Sequence, residues 1–195
     1  MCQIELEQMW RANIYRLLAR LLQAPPDAAL LAQISEIRFE KQRPEAPISK
    51  AWQDLSQLAL RAELVSLSEQ FHILFIGVTG GELLPYASWY QTGFLMEKPL
   101  AELRLDLARL GIERQVGSHE PEDHVAAVFE TMTLLIQEGH REQQIFFQRH
   151  IANWAMRFLE DLQVAGKSGF YSAVAVLGKT FLMLEMDYFQ VMESG

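Results

Sequence analysis

Apolar side chains recur every three to four positions along most of the chain, which is the spacing of one face of an α-helix. The clearest stripe ends where Pro25 and Pro26 interrupt it, and it consists of Trp10, Ile14, Leu17, Leu18 and Leu21. The same spacing predicts further helices at residues 26–37, 50–75, 99–110, 121–139, 147–166 and 170–188. Because no segment alternates apolar and polar side chains as a strand does, the pattern predicts an all-α fold.

The predicted helix from Lys50 to Phe75 carries apolar residues around much of its circumference, so we expect it to run through the core. Residues 77–81 contain three glycines and are expected to form a turn. Residues 82–98 have no sustained period and predict an ordered, irregular loop. Pro121 is a favoured first helical residue and is expected to open the helix that follows.

The predicted helices number about seven to nine and suit one compact helical domain with two halves. We expect an N-terminal half at residues 1–111, a linker at 112–119 and a C-terminal half at 120–195. Gly111 is well placed to cap the helix before the linker.

Composition narrows the class of protein. The chain has 195 residues, and 17 Lys and Arg against 25 Asp and Glu give a net charge of −8, which argues against nucleic-acid binding. The single cysteine, Cys2, forms no disulfide within the chain, and acidic residues stand where an export signal has basic ones. The apolar runs are too short for membrane insertion, so we expect a cytoplasmic protein.

The string from His119 to His124 is the most enzyme-like part of the chain, with two imidazoles and three carboxylates in six residues. The two histidines are five positions apart with a proline between them, whereas a zinc-binding His-Glu-x-x-His motif places them on one helical face. The segment fits a helix start with acidic residues in its first turn. A metal-dependent hydrolase using His119, Glu120, Asp123 and His124 remains an alternative, as does a helix start that binds a cationic peptide.

A second enzyme-like string, Gly178-Lys179-Thr180, matches only the end of a phosphate-binding loop. It lies within a predicted helix, whose interior has no free amides for phosphate. We expect an ordinary helix with a small residue at a close helix crossing, and no bound cofactor.

Residues Pro85–Tyr90 place three aromatic side chains beside polar atoms. Tyrosine and tryptophan anchor peptide interfaces because they bury large areas at little cost in rotamer entropy. From composition alone, the favoured interpretation is that these rings only pin the loop to the core.

Four stretches carry a family resemblance when taken in order: Tyr15–Leu22, Phe71–Gly77, Pro85–Tyr90 and Glu120–His124. A later spacing adds to them, with Phe147, His150, Trp154 and Phe158 followed by Phe170 and Tyr171. Together they resemble the TorD/DmsD/NarJ family of redox-enzyme maturation chaperones, and the Glu-Pro-x-Asp-His string is the most specific part.

The resemblance implies a TorD-like, all-helical, non-enzymatic chaperone of the cytoplasm. Its partner would be the precursor of a molybdenum-cofactor oxidoreductase, bound through its twin-arginine leader and often its body until the cofactor is inserted. Family members occur as monomers or as homodimers that exchange halves, and such an exchange would hinge at residues 112–119.

The leader-binding residues that the resemblance implies are Glu120, Pro121, Asp123 and His124, with Tyr86, Ser88 and Tyr90. We include Trp89, Leu74 and Phe75 in this candidate peptide-binding set. A leader has arginines followed by an apolar run, so its receptor needs carboxylates beside an aromatic groove. We expect Asp123 to pair with a leader arginine, His124 to donate to a leader carbonyl, and Tyr86, Tyr90 and Leu74 to cover the apolar run. A helical adaptor that ignores the arginines is the remaining alternative.

Overall fold

The computed structural model of the protein describes residues 3–37, 46–77, 81–114 and 120–193. Within these ranges the chain forms ten α-helices, one π-helix and a single isolated antiparallel bridge, with no extended strand. The predicted all-α class is therefore confirmed. The helices number ten instead of seven to nine because two predicted helices are each broken in two and a short helix lies in the predicted loop.

The chain forms two compact units, each built from two stretches of sequence. The first contains residues Met1–Gln23 and Pro85–Ala155. Its helices are α1 (Gln3–Gln23), α5 (Ala87–Thr92), α6 (Lys98–Arg109), α7 (Val125–Gln137) and α8 (Gln143–His150). Helices α1 and α7 pack along each other and bury their apolar faces, with Tyr15 edge-on to Phe129 at 5.5 Å between ring centres.

The second unit contains residues Ala24–Leu84 and Met156–Gly195. Its elements are α2 (Ala28–Glu36), α3 (Pro47–Leu60), α4 (Leu64–Phe71), a π-helix (His72–Ile76), nearly all of α9 (Ala155–Ala165) and α10 (Phe170–Glu193). Helix α3 packs against both α2 and α10. Gly178 lies inside α10, where an added Cβ would stand 3.0 Å from the side chain of Leu159. The predicted close helix crossing is thus confirmed.

The single helix predicted from Lys50 to Phe75 is wrong, since α3 ends at Leu60 and α4 begins at Leu64. The amides of Arg61 and Ala62 bond back only three residues, which tightens the last turn and ends α3. The apolar residues of this segment form two sets that a straight helix would place on different faces: Trp52, Leu55, Ala59 and Ala62, and then Leu60, Leu64, Leu67, Phe71 and Leu74. After the break, α3 buries Trp52, Leu55 and Ala59, and α4 buries Leu67 and Phe71. Leu60 and Leu64, which flank the break, are exposed.

The helix predicted from Phe147 to Gly166 is also broken, between α8 and α9. The indole Nε1 of Trp154 donates to the carbonyl of His150 at 2.7 Å, which is the acceptor that the Trp154 amide would use in a continuing helix. That amide bonds to Ile151 instead, at 3.2 Å. A buried side chain therefore ends α8, and the apolar period gives no sign of it.

Cap residues determine where α2 begins and α6 ends. Helix α2 begins two residues later than Pro26, because the side chain of Asp27 accepts from the amide of Leu30 at 2.8 Å. Gly111 follows the end of α6 with a φ of +70°, so the predicted glycine cap is confirmed.

A buried carboxylate ties α6 to α8 in the first unit. Asp106 accepts from Nε2 of His150 at 2.7 Å and pairs with Arg149 at 2.8 Å. Burial raises the pKa of Asp106, but the hydrogen bond from His150 and the charge of Arg149 outweigh it and hold the pKa below its usual value. Asp106 therefore stays ionised and joins α6 to α8.

Residues 115–119 of the predicted linker 112–119 lie outside the described residues, so the division into halves at 1–111 and 120–195 stays a prediction. Within the described ranges, every helix is too short or too polar to span a lipid bilayer.

Candidate functional site

Two stretches that the sequence singled out separately meet in the first unit. Tyr86 and His124 face each other in the isolated antiparallel bridge. The amide of Ala87 donates to the carbonyl of Asp123 at 3.0 Å, and the amide of Val125 donates to the carbonyl of Pro85 at 2.8 Å. We call residues Pro85–Tyr90 and Glu120–Val125 the bridge site. The bridge joins the aromatic stretch to the acidic one.

The prediction that Pro121 opens a helix is wrong, because α7 begins at Val125 with His124 as its N-cap. Backbone groups of Asp123 and Val125 are used by the bridge, so this segment cannot also be helical. The amide of His124 closes a turn onto the carbonyl of Pro121 at 3.1 Å. The Glu120–His124 segment therefore precedes the helix.

Asp123 is completely buried, at 0% exposure. Its Oδ2 accepts from the amide of Ser88 at 2.9 Å, in the first turn of α5. A carboxylate at this position caps the helix and complements its dipole. Asp123 Oδ1 and the hydroxyl of Ser88 are also buried and hydrogen-bond to none of the described residues. Ser88 thus contacts Asp123 through its backbone amide and not through its hydroxyl.

Glu120 is exposed at the edge of the bridge site. The phenol of Tyr86 donates to its Oε2 at 2.5 Å. Burial, together with this hydrogen bond and the negative charge of Glu120, raises the pKa of Tyr86 well above its usual value. Tyr86 therefore remains a neutral donor that fixes the Glu120 carboxylate.

His124 is held as a neutral imidazole. Its Nδ1 accepts from the amide of Ala126 at 3.2 Å, and its ring lies edge-on to Tyr86 at 5.2 Å. Burial lowers the pKa of His124 to about 4, because it outweighs the opposing charges of Glu120 and Asp123. At neutral pH this side chain caps α7 without adding a charge to the site.

Two arginines from the α6 region neutralise part of the acidic segment. Arg104 pairs with Glu122 at 2.8 Å, and Arg114 lies 3.8 Å from the same carboxylate. Arg114 also donates to the backbone carbonyl of Glu120 at 2.7 Å. Burial raises the pKa of Glu122, but the hydrogen bond from Arg104 and the two positive charges bring it below its usual value.

The aromatic stretch divides into a buried side and an open side. Trp89 is 41% exposed, whereas the ring of Tyr90 is partly buried and lies 5.9 Å from that of Trp154. Beyond α5, the consecutive side chains Phe94, Leu95 and Met96 are 69%, 44% and 74% exposed. The apolar period along the sequence does not predict this exposed segment. The sequence does contain a sign of it: three adjacent apolar residues without helical period stand between Gly93 and Glu97.

Leu74 and Phe75, the other two candidate residues, belong to the second unit. Leu74 is buried, and Phe75 packs against Phe71 and Tyr171 with ring centres 4.8 and 5.8 Å apart. Both lie in the π-helix, a form that often marks functional sites. Their part in peptide binding stays a prediction.

His119, which the alternative metal site requires, lies outside the described residues. Among the residues that the structure describes, no three His, Cys, Asp or Glu side chains are grouped so that they could hold a metal ion. The Gly178-Lys179-Thr180 string lies in the interior of α10, where the backbone amides are used by the helix.

Comparison with known proteins places these features in a family. The sequence profile of the nitrate reductase delta subunit family matches residues 41–160. The chain is 29% identical to the chaperone protein TorD of Aliivibrio fischeri, over 91% of this chain and 94% of that protein. It is 28% identical to the probable Tat proofreading chaperone DmsD of Haemophilus influenzae, over 84% and 83%.

A crystal structure described as that of a redox enzyme maturation protein from Archaeoglobus fulgidus has the same fold, with a TM-score of 0.59. The match covers 89% of this chain and 93% of that one at 17% identity. The likeness thus extends over nearly the whole all-helical chain. The resemblance drawn from the sequence is confirmed: the chain belongs to the TorD/DmsD/NarJ family of redox-enzyme maturation chaperones, whose members are chaperones and not enzymes.

Proposed function

We propose that this chain is a cytoplasmic proofreading chaperone for the precursor of a molybdenum-cofactor oxidoreductase. It binds the twin-arginine leader, the apoenzyme or both, supports insertion of the cofactor and delays export until the enzyme is mature. The relatives named TorD and DmsD, one of them described as a Tat proofreading chaperone, support this assignment.

The observation that carries the proposal is the bridge between Tyr86 and His124. It sets an acidic segment beside an aromatic one, and neither alone has the chemistry of a leader receptor. A leader offers guanidinium groups and then an apolar run, so a matching surface needs carboxylate and apolar area side by side. The bridge site supplies both within one unit.

The exposed apolar side chains extend this surface. Trp89 and the segment Phe94–Met96 lie on and just beyond α5, and they leave large apolar areas open to solvent. Contiguous exposed apolar patches mark binding surfaces in soluble proteins. We assign the apolar run of the leader to Trp89, Tyr86 and Tyr90, and we add the exposed segment Phe94–Met96 to the set.

The cationic end of the leader needs an accessible carboxylate. Glu120 is exposed, and Glu122 is paired with Arg104. We propose that Glu120, Pro121 and His124 border the place where the leader enters, while Asp123 and Ser88 lie beneath it.

Calorimetric titration tests the proposal. The purified protein is titrated with twin-arginine leader peptides from molybdoenzymes of the same cell, each beside a version in which both arginines are lysine. We expect one leader to bind at least about tenfold more tightly than its lysine version, since a guanidinium makes paired bonds with a carboxylate that an ammonium cannot.

The control is Glu138→Gln, which removes one exposed carboxylate at the far end of α7 and should leave binding unchanged. Equal affinity for the two versions would favour the helical adaptor and contradict leader proofreading. The absence of heat with any leader, together with no capture of the apoenzyme, would refute the chaperone assignment.

A further inference from the structure

We infer that two of the three carboxylates of the Glu120–His124 segment have different tasks: Glu120 meets a leader arginine, and Asp123 is a positioning residue that holds the first turn of α5. This inference rests on the proposed function and deepens it. It departs from the expectation, drawn from the sequence, that Asp123 itself pairs with an arginine.

Access separates the two carboxylates. A guanidinium binds a carboxylate best through two parallel hydrogen bonds, which requires open approach to both oxygens. Asp123 is at 0% exposure, and its Oδ2 is already bonded to the amide of Ser88 at 2.9 Å. Glu120 is exposed, and its described side-chain hydrogen bond is the one from the Tyr86 phenol to Oε2. Of these two residues, Glu120 is the one whose carboxylate a leader arginine can reach in this conformation.

The bonds of Asp123 show what it does instead. Its carbonyl accepts from the amide of Ala87 at 3.0 Å, and its carboxylate accepts from the next amide, that of Ser88. One residue therefore receives the first two free amides of α5. A helix of six residues is not stable alone, so α5 depends on such tertiary bonds.

Helix α5 carries the aromatic side of the bridge site. Trp89 and Tyr90 follow Ser88 directly, and Tyr86 precedes the helix as its N-cap. Loss of the Asp123 carboxylate would remove a hydrogen bond from the first turn of α5 and make the positions of these three rings less well defined. Arginine and lysine leaders would both bind more weakly, because both lie on the same three rings.

Four variants separate the tasks: Asp123→Ala, Asp123→Asn, Glu120→Gln and the control Glu138→Gln. Each is titrated with an arginine leader and its lysine version. We expect Asp123→Ala to weaken both peptides by the same factor, about tenfold, and to leave their ratio unchanged. Asp123→Asn should recover most of that loss, because an amide oxygen still accepts from Ser88.

Glu120→Gln should instead reduce the preference for arginine severalfold, with a smaller effect on the lysine version, because it removes the charge without disturbing α5. Loss of the arginine preference in Asp123→Asn, with the preference retained in Glu120→Gln, would overturn the inference. If Asp123→Ala does not fold, the comparison of Asp123→Asn with Glu120→Gln still tests which carboxylate carries the arginine preference.

Hydrogen exchange at the Ser88 amide gives a readout that does not involve a leader. Asp123→Ala should speed this exchange at least tenfold relative to Asp123→Asn and to the control. If wild-type protein shows no arginine preference, the proposed function and the role of Glu120 both fail, while this exchange still decides the role of Asp123. Unchanged exchange would refute the positioning role even if leader binding is confirmed.

Discussion

Gly81→Ala tests how the chain is held just before the bridge site. The amide of Glu82 donates to the carbonyl of Ile73 at 3.1 Å, and the amide of Leu83 donates to that of Leu74 at 2.9 Å. Both acceptors lie in the π-helix, whose wider turn bonds over five residues, as from Gly77 to His72. Residues 81–83 are thus laid against the π-helix by main-chain bonds.

An added Cβ at Gly81 would stand 2.5 Å from the carbonyl oxygen of Leu74 and 2.5 Å from the carbonyl carbon of Phe75. These are backbone atoms, so neither can rotate away. Forced displacement in a packed region costs about 1 to 3 kcal/mol, and two weakened hydrogen bonds add about 1 kcal/mol each. We expect the free energy of unfolding to fall by about 3 to 5 kcal/mol.

The matched control is Gly93→Ala, where nothing lies within 4 Å of the added Cβ. Its φ of +82° makes alanine unfavourable by about 1 to 2 kcal/mol. Urea unfolding followed by circular dichroism compares the two variants with wild type. A loss in Gly81→Ala no larger than that in Gly93→Ala would refute the close approach of residue 81 to the π-helix.

Three further predictions concern the bridge site. Because the pKa of His124 is lowered to about 4 in the folded protein, the unfolded chain binds the proton first as the pH falls from about 6.5 to 4. Over that range the free energy of unfolding of wild type should fall by up to about 3 kcal/mol more than that of His124→Asn, as measured by urea unfolding. Ser88→Ala should cost less than about 1 kcal/mol and leave leader affinity within twofold, since the hydroxyl bonds to none of the described residues; a larger loss in calorimetry would give that hydroxyl a role. Arg104→Gln should tighten leader binding severalfold, because it frees the Glu122 carboxylate. The control Arg109→Gln removes the same charge from α6 but leaves Glu122 paired, so it should not change leader affinity. Equal effects of the two variants in calorimetry would mean that only net charge matters.

The sequence alone determined the fold class and most of the helices. Apolar period is a local property, so α1, α6 and α10 could be predicted from their own residues, and Gly111 ends α6 as its conformational freedom predicts. The stretches Pro85–Tyr90 and Glu120–His124 were also identifiable from composition and from the resemblance.

Breaks and short elements were not predictable, because long-range contacts decide them. The indole of Trp154 takes a carbonyl that α8 needs to continue, and no periodicity reports a competing side chain. Helix α5 exists where the sequence predicts a loop, since its first amides are accepted by a residue 35 or more positions away.

The tasks of the site residues depended on tertiary structure for the same reason. From sequence, Glu120 and Asp123 are two acidic residues three positions apart and chemically alike. The backbone bridge turns one outward and buries the other against Ser88, and burial decides whether a carboxylate can meet a ligand or only hold its neighbours. The sequence determined which chemistry this surface contains, and the fold decided which part of it is accessible.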